Sequence, residues 1–138
     1  MNQKELEKIL PHRKPMLLLD FAQKDGELAL ANVTIKGDEW FLQGHFPGNP
    51  VVPGVILCEM LAQACCVLVA GESEGATPYF TGIQKARFKS KVLPGDRLDI
   101  ECRITRAKPP FFFAEGSGSV NGKSCVTAEI SFMLDPGK

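Results

Sequence analysis

One histidine and one glutamate are the residues of this chain best suited to move protons. His45 lies in a loop of glycine and proline, Gly44-His45-Phe46-Pro47-Gly48-Asn49-Pro50, and Glu59 follows it inside the apolar run that begins at Val55. A loop histidine taken alone is more often a structural hydrogen-bonding residue than a catalyst. Here the flanking Gly44, Pro47, Gly48 and Pro50 stiffen the backbone and allow close approach. An imidazole can also accept a proton near neutral pH. A carboxylate on an apolar helix costs several kcal/mol unless it is paired or protonated, so Glu59 reads as an acid held partly protonated. The bland alternative is a carboxylate buried against an arginine. Gln63 lies one helical turn beyond Glu59 on the same face and can orient it by a hydrogen bond.

Gly54 stands where the helix must begin. The free N–H groups of a helix start, with the positive end of its dipole, suit a developing oxyanion, and a glycine leaves room for a ligand carbonyl. Base, acid and oxyanion donor then fall within one short stretch, the set needed to abstract a proton next to a carbonyl. Lys85, Arg87, Lys89 and Lys91 recur at every second residue, which places four cations on one face of a strand. They read either as a solvated face or as a docking stripe for an acidic partner. His12 and Arg13 have no base and orienter near them in sequence, so a structural role is favoured. Cys65 and Cys66 read as core residues.

The elements that position these groups follow from patterning. A short helix is expected over Lys4–Ile9, and strands over Met16–Asp20 and Glu27–Ile35, joined through Asp25-Gly26. Gly37–Pro53 reads as irregular loop, and Pro53 suits the first turn of a helix that runs to about Ala70 and ends at Gly71. A long strand is expected over Pro78–Val92. Leu98, Ile100, Cys102 and Ile104 alternate with Arg97, Asp99, Glu101 and Arg103, a strand period of two. Strands over Phe112–Val120 and Cys125–Leu134 are joined by Asn121-Gly122, a strong hairpin signal. A helix apolar on nearly all sides must be surrounded, and a curved antiparallel sheet wrapped around it does so. The fold class is α+β.

Bulk properties exclude other functions. The 138 residues suit one domain, and sixteen basic residues balance sixteen acidic ones, so charge gives no reason to expect nucleic acid or a membrane surface. The apolar run from Val55 to Ala70 spans about 24 Å as a helix, short of a hydrocarbon core of about 30 Å, and it carries Glu59 and Gln63. No membrane insertion is expected. The first residues are too charged for a signal peptide. Five cysteines with no Cys-x-x-Cys spacing argue against zinc and for a reduced, cytoplasmic protein.

The block from Gly44 to Pro50, followed by Pro53-Gly54-Val55 and Glu59, resembles the active-site region of FabZ-type 3-hydroxyacyl-(acyl-carrier-protein) dehydratases. Leu10-Pro11-His12-Arg13-Lys14-Pro15 with Leu17-Leu18-Leu19-Asp20 resembles that family's N-terminal motif. Gly82-Ile83, Ala86-Arg87-Phe88-Lys89 and Val92-Leu93-Pro94-Gly95-Asp96 resemble its later strand and turn, and the last 30 residues resemble it loosely. The resemblance implies a hotdog fold and a homodimer as the minimal active unit, often in a trimer of dimers, with His45 of one subunit facing Glu59 of the other.

It further implies that His45 and Glu59 are catalytic and that Gly54 binds the substrate carbonyl. Phe46, Gln63, Tyr79 and Phe80 position substrate, Tyr79 or Phe80 at the far end of an acyl tunnel. The partner of the cationic stripe becomes acyl carrier protein with its thioester-linked chain. The elimination needs no metal or redox cofactor. The sequence departs from the family at Lys14-Pro15-Met16, at Cys65-Cys66 and at Pro109-Pro110-Phe111-Phe112-Phe113. Rival functions are a dehydratase/isomerase, whose acidic residue is typically Asp, a hotdog acyl thioesterase, and a binding module that would need neither His45 nor Glu59.

Overall fold

A computed structural model describes residues 1–69 and 76–135. The elements in chain order are α1 (Gln3–Leu6), β1 (Phe21–Asp25), β2 (Leu28–Thr34), a 3-10 turn over Trp40–Leu42, α2 (Gly54–Val69), β3 (Thr77–Phe88), β4 (Arg97–Lys108), β5 (Phe111–Val120) and β6 (Lys123–Asp135). The six strands form one antiparallel sheet in the order β1-β2-β4-β5-β6-β3. All six pack against α2. The architecture is the hotdog: a sheet wrapped around one helix.

The alternation read in the sequence becomes the two faces of the sheet. Leu98, Ile100 and Cys102 of β4 and Val126, Ala128, Ile130 and Phe132 of β6 turn inward and are buried. On α2, Leu57, Met60, Leu61, Ala64, Cys65 and Val67 fill the groove they form, each large side chain contributing about 1.5–3 kcal/mol by burial. Small residues on β5 let the helix settle close. A methyl group on Gly116 would meet Cys102 Sγ at 2.8 Å and Leu61 Cβ at 3.4 Å. The β5–β6 hairpin turns on Asn121 and Gly122, whose φ values of 52° and 81° are those its tight turn requires.

Three expectations are corrected. Residues 16–20 are not a strand; β1 begins at Phe21. Leu17, Leu18 and Leu19 are all buried, a pattern no two-sided strand gives, and the Leu18 N–H donates to Gln63 Oε1 instead of to a ladder. The loop that holds His45 contains the 3-10 turn at Trp40–Leu42. β3 ends at Phe88 and does not reach Val92. Beyond it, residues 89–96 cross toward the His45 loop, where the Val92 carbonyl accepts from the Val52 N–H at 3.0 Å. Helix α2 starts at Gly54 with the Pro53 carbonyl accepting from Ile56 and Leu57. The expected stop at Ala70 and Gly71 lies outside the described residues. The Pro109-Pro110 pair now has a place, as the turn between β4 and β5. No helix among the described residues is long and apolar enough to cross a membrane.

Candidate active site

The His45 loop is a closed turn. The Phe46 carbonyl accepts from the Asn49 N–H at 2.8 Å, and the His45 carbonyl accepts from the Val51 N–H at 3.0 Å. Pro47 and Gly48 occupy the two central positions, and the φ of 77° at Gly48 is one that glycine adopts without strain. The imidazole is fixed by the same residue that closes the loop: Nδ1 lies 3.0 Å from the Val51 carbonyl oxygen. A carbonyl oxygen can only accept, so Nδ1 carries the hydrogen and Nε2 keeps a bare lone pair. Phe46 stacks on the ring with centroids 4.1 Å apart and is itself half exposed. The result is an oriented base.

Glu59 is held separately, in the second turn of α2. Its Oε2 accepts from the Gln63 amide Nε2 at 2.9 Å, the bond expected from their spacing. Gln63 is fully buried and completes its bonding with the N-terminal segment, donating to the Met16 carbonyl at 2.7 Å and accepting from the Leu18 N–H at 3.0 Å. The ionisable partner of Glu59 is not an arginine. It is His12, whose Nε2 lies 3.5 Å from Oε2. That corrects the reading of His12 as remote from any acid–base group. The contact joins residues far apart in sequence, and no periodicity or local motif could have exposed it. Arg13 turns away, donating to the carbonyls of Leu10 and His12.

His45 and Glu59 therefore have different partners within the chain, and no hydrogen bond or ion pair links them among the described residues. Gly54 stands between them in sequence as the first residue of α2. Its N–H belongs to the first turn, where intrahelical acceptors are missing. A methyl group there would meet the Phe88 ring at 2.9–3.3 Å, so the glycine is demanded by the β3 aromatic as well as suited to a ligand.

Tyr79 and Phe80 lie near the start of β3, opposite Met133 and Phe132. Neighbouring strand residues face opposite ways, so Phe80 shares the inner face with buried Phe132 and Tyr79 the outer face. Both are exposed.

The four cations do not lie on one strand face. A register shift falls between Gln84 and Arg87, and Lys85 has a φ of 52°. An extra residue enters the ladder there, yet Lys85 and Arg87 stay on one outer face. Lys85 and Arg87 line an outer groove together with Glu101, Arg103, Glu115 and Glu129, and Lys85 Nζ approaches Glu129 at 3.5 Å. Lys89 and Lys91 lie past the strand, exposed.

Comparison with known proteins identifies the family. The FabA-like domain family matches residues 10–129. A 3-hydroxyacyl-(acyl-carrier-protein) dehydratase FabZ of Enterococcus faecalis is 43% identical over 134 residues, covering 94% of this chain and 95% of that protein. The corresponding protein of Clostridium perfringens is 44% identical over 139 residues, covering 97% and 99%. Among solved structures, the dehydratase heterocomplex ApeI:P from Xenorhabdus doucetiae superposes with a TM-score of 0.83 at 26% identity, covering 96% of this chain and 91% of that one. The E. coli PaaI protein, at 14% identity and a TM-score of 0.65 over 83% of this chain and 82% of its own, shares the fold. With its family match spanning most of its length and its FabZ relatives covered almost end to end, the chain belongs to the FabA-like family, among the FabZ-type dehydratases.

Proposed function

We propose that this chain dehydrates 3-hydroxyacyl-(acyl-carrier-protein) to the trans-2-enoyl thioester in fatty acid biosynthesis, with His45, Glu59 and the Gly54 N–H as its machinery. The observation that carries the chemistry is the Nδ1 contact of His45 with the Val51 carbonyl, which leaves Nε2 free to take a proton. The thioester carbonyl accepts a hydrogen bond from the Gly54 N–H at the start of α2, where the helix dipole favours the growing negative charge. His45 Nε2 removes the α-proton, and the electrons of that C–H bond form the new Cα=Cβ bond. The Cβ–O bond breaks, and Glu59 supplies the proton that lets the hydroxyl leave as water. His45 ends with one extra proton and Glu59 with one fewer, and exchange with solvent restores both.

Because each group is held by its own partners, we read the complete site as shared by two subunits of a homodimer, His45 from one and Glu59 from the other. The edge strand β3 supports this reading. It ends the sheet and exposes Tyr79, Phe80, Ile83 and Phe88, an apolar edge suited to pairing with a second copy. Phe46 and Val55 are exposed as well, and Gly54, next to Val55, lies against the Phe88 ring of β3. On this reading Phe46, Tyr79 and Phe80 contact the acyl chain, and two such dimers or more can associate further, as in a trimer of dimers. Lys85, Arg87, Lys89 and Lys91 meet the acidic carrier protein, residues 1–138 form one catalytic domain, and the protein works in the cytoplasm, where its five free thiols persist.

The test is turnover of a short 3-hydroxyacyl thioester on acyl carrier protein, followed by conjugated-enoyl absorbance and product mass. Wild type interconverts the hydroxy and enoyl forms, and His45→Ala and Glu59→Gln lose about 100-fold or more in kcat. A 3-enoyl product would add isomerase activity. Release of free acid without hydration would refute the assignment in favour of thioester hydrolysis.

A further inference from the structure

His12 is the titratable group the mechanism leaves unused, and it lies against the carboxylate the mechanism depends on. Its Nε2 is 3.5 Å from Glu59 Oε2, and both side chains are about four-fifths buried, at 18% and 19% exposure. The other ring nitrogen, Nδ1, is buried and has no hydrogen-bonding partner among the described residues. The loop is braced on both sides of the histidine. Arg13 Nη1 donates to the carbonyls of Leu10 and His12, and Trp40 Nε1 donates to the Pro15 carbonyl at 3.1 Å.

These facts restrict where the imidazole hydrogen can sit. A hydrogen on Nδ1 would be a buried donor with no acceptor, which costs more than a bare lone pair in the same place. A doubly protonated ring would bury that donor and a charge as well. The hydrogen therefore belongs on Nε2, the nitrogen that lies 3.5 Å from Glu59 Oε2. The same Oε2 already accepts from Gln63 Nε2 at 2.9 Å, whereas Oε1 has no partner among the described residues.

We propose that His12 is a positioning residue for Glu59: a neutral imidazole, hydrogen on Nε2, that shares Oε2 with the Gln63 amide and leaves Oε1 as the oxygen that carries the proton to the leaving hydroxyl. This rests on the reading of Glu59 as the acid. Two N–H donors on one oxygen direct the acidic hydrogen to the other and fix the plane of the carboxyl group. Within the chain, the titratable groups facing Glu59 are His12, from the N-terminal loop, and Cys66 on its own helix; in the two-subunit site proposed above, the His45 of the other subunit faces it as well. Burial, with the charges of Cys65 and Glu59, pushes the Cys66 thiol up, so it stays protonated. The strands offer Glu59 no ionic partner among the described residues.

The test uses the assembled enzyme with carrier-bound substrate, and His12→Ala, His12→Gln and His12→Lys. His12→Ala is expected to lower kcat about 10- to 100-fold with little change in KM. It should also move the acidic group's limb of the kcat–pH profile to higher pH, because a carboxylate that loses a donor holds its proton more tightly. His12→Gln, whose amide nitrogen reaches the same place without charge, should recover most of the loss. Recovery by His12→Lys alone would overturn the proposal in favour of a cationic partner. Unchanged kcat and an unmoved limb in His12→Ala would overturn it in favour of packing.

Nitrogen-15 spectra of the wild-type imidazoles need no variant of His12 to fold. The chain has two histidines, so the spectrum of His45→Ala assigns both. A hydrogen on Nε2 and a bare Nδ1 are expected for His12 at the working pH, and a hydrogen on Nδ1 refutes the proposal. A fully active Glu59→Gln would instead remove the reading of Glu59 on which it rests.

Discussion

Replacing Gln63 with leucine removes a residue that ties the acid to the N-terminal segment while keeping its volume. Gln63 is fully buried and makes three bonds, to the Leu18 N–H, the Met16 carbonyl and Glu59 Oε2. The buried Leu18 N–H loses its partner outright, at about 1–3 kcal/mol. Met16 is exposed and Glu59 partly so, and water can reach both groups, so together they add about 1 kcal/mol. The expected loss is about 2–4 kcal/mol, a Tm lower by roughly 6–14 °C for a domain of this size. The assay is urea and thermal unfolding at one fixed protein concentration, because association contributes to apparent stability. A second readout is kcat, expected to fall about tenfold or more as the Glu59 carboxyl loses a donor. Gln63→Glu should be at least as harmful, since it keeps an acceptor for Leu18 but sets a second carboxylate against Glu59. A Gln63→Leu protein within 2 °C of wild type, an interval smaller than the roughly 6 °C lower bound expected here, would show that these bonds do not hold the N-terminal segment to α2.

Mixing subunits carrying His45→Ala with subunits carrying Glu59→Gln should restore about a quarter of wild-type activity, because half of the dimers are mixed and each of those holds one intact site. No recovery after verified subunit exchange would place both residues of a site in one chain. Gly54→Ala should push the Phe88 ring aside at a cost of about 1 kcal/mol and lower kcat/KM by about tenfold or more. If Gly54→Ala with Phe88→Leu regains full activity, crowding by the ring was the whole effect and carbonyl approach did not require the glycine. Neutralising Lys85, Arg87, Lys89 and Lys91 to glutamine should lower kcat/KM several-fold on carrier-bound substrate and leave a small thioester unaffected; equal losses on both would sink the docking reading.

The helix thiols give a pH dependence of known sign. Burial raises Cys58, the hydrogen bond with Cys102 and burial raise Cys65, and burial raises Cys66, all from an ordinary value of 9.0. The unfolded chain therefore releases these protons first, so their contribution is intact below pH 9 and declines as pH rises above it. Unfolding in urea from pH 8 to 10 measures this, and stability that holds or rises across that range contradicts it.

Local chemistry was legible in the sequence wherever neighbours along the chain decide the outcome. The Asn121-Gly122 turn, the alternation of β4, the all-round apolar α2 and the Glu59–Gln63 bond each depend on a fixed spacing of two, three or four residues. The motif around His45 carried the family resemblance for the same reason, since its glycines and prolines close the loop that orients the ring.

Tertiary structure decided what depends on residues far apart. Three consecutive buried leucines at 17–19 match no single period, because their burial comes from packing and the Leu18–Gln63 bond rather than from a strand. The cationic stripe stopped short because β3 ends at Phe88, which leaves Lys89 and Lys91 past the strand, an end set by the pairing of β3 with β6 and invisible in either strand alone. The partner of Glu59 was likewise beyond local reasoning. His12 comes to the carboxylate only because the N-terminal loop folds back over α2 and Gln63 clasps it there. Periodicity assigns a residue to a face; which distant residue meets that face is settled by how the chain closes on itself.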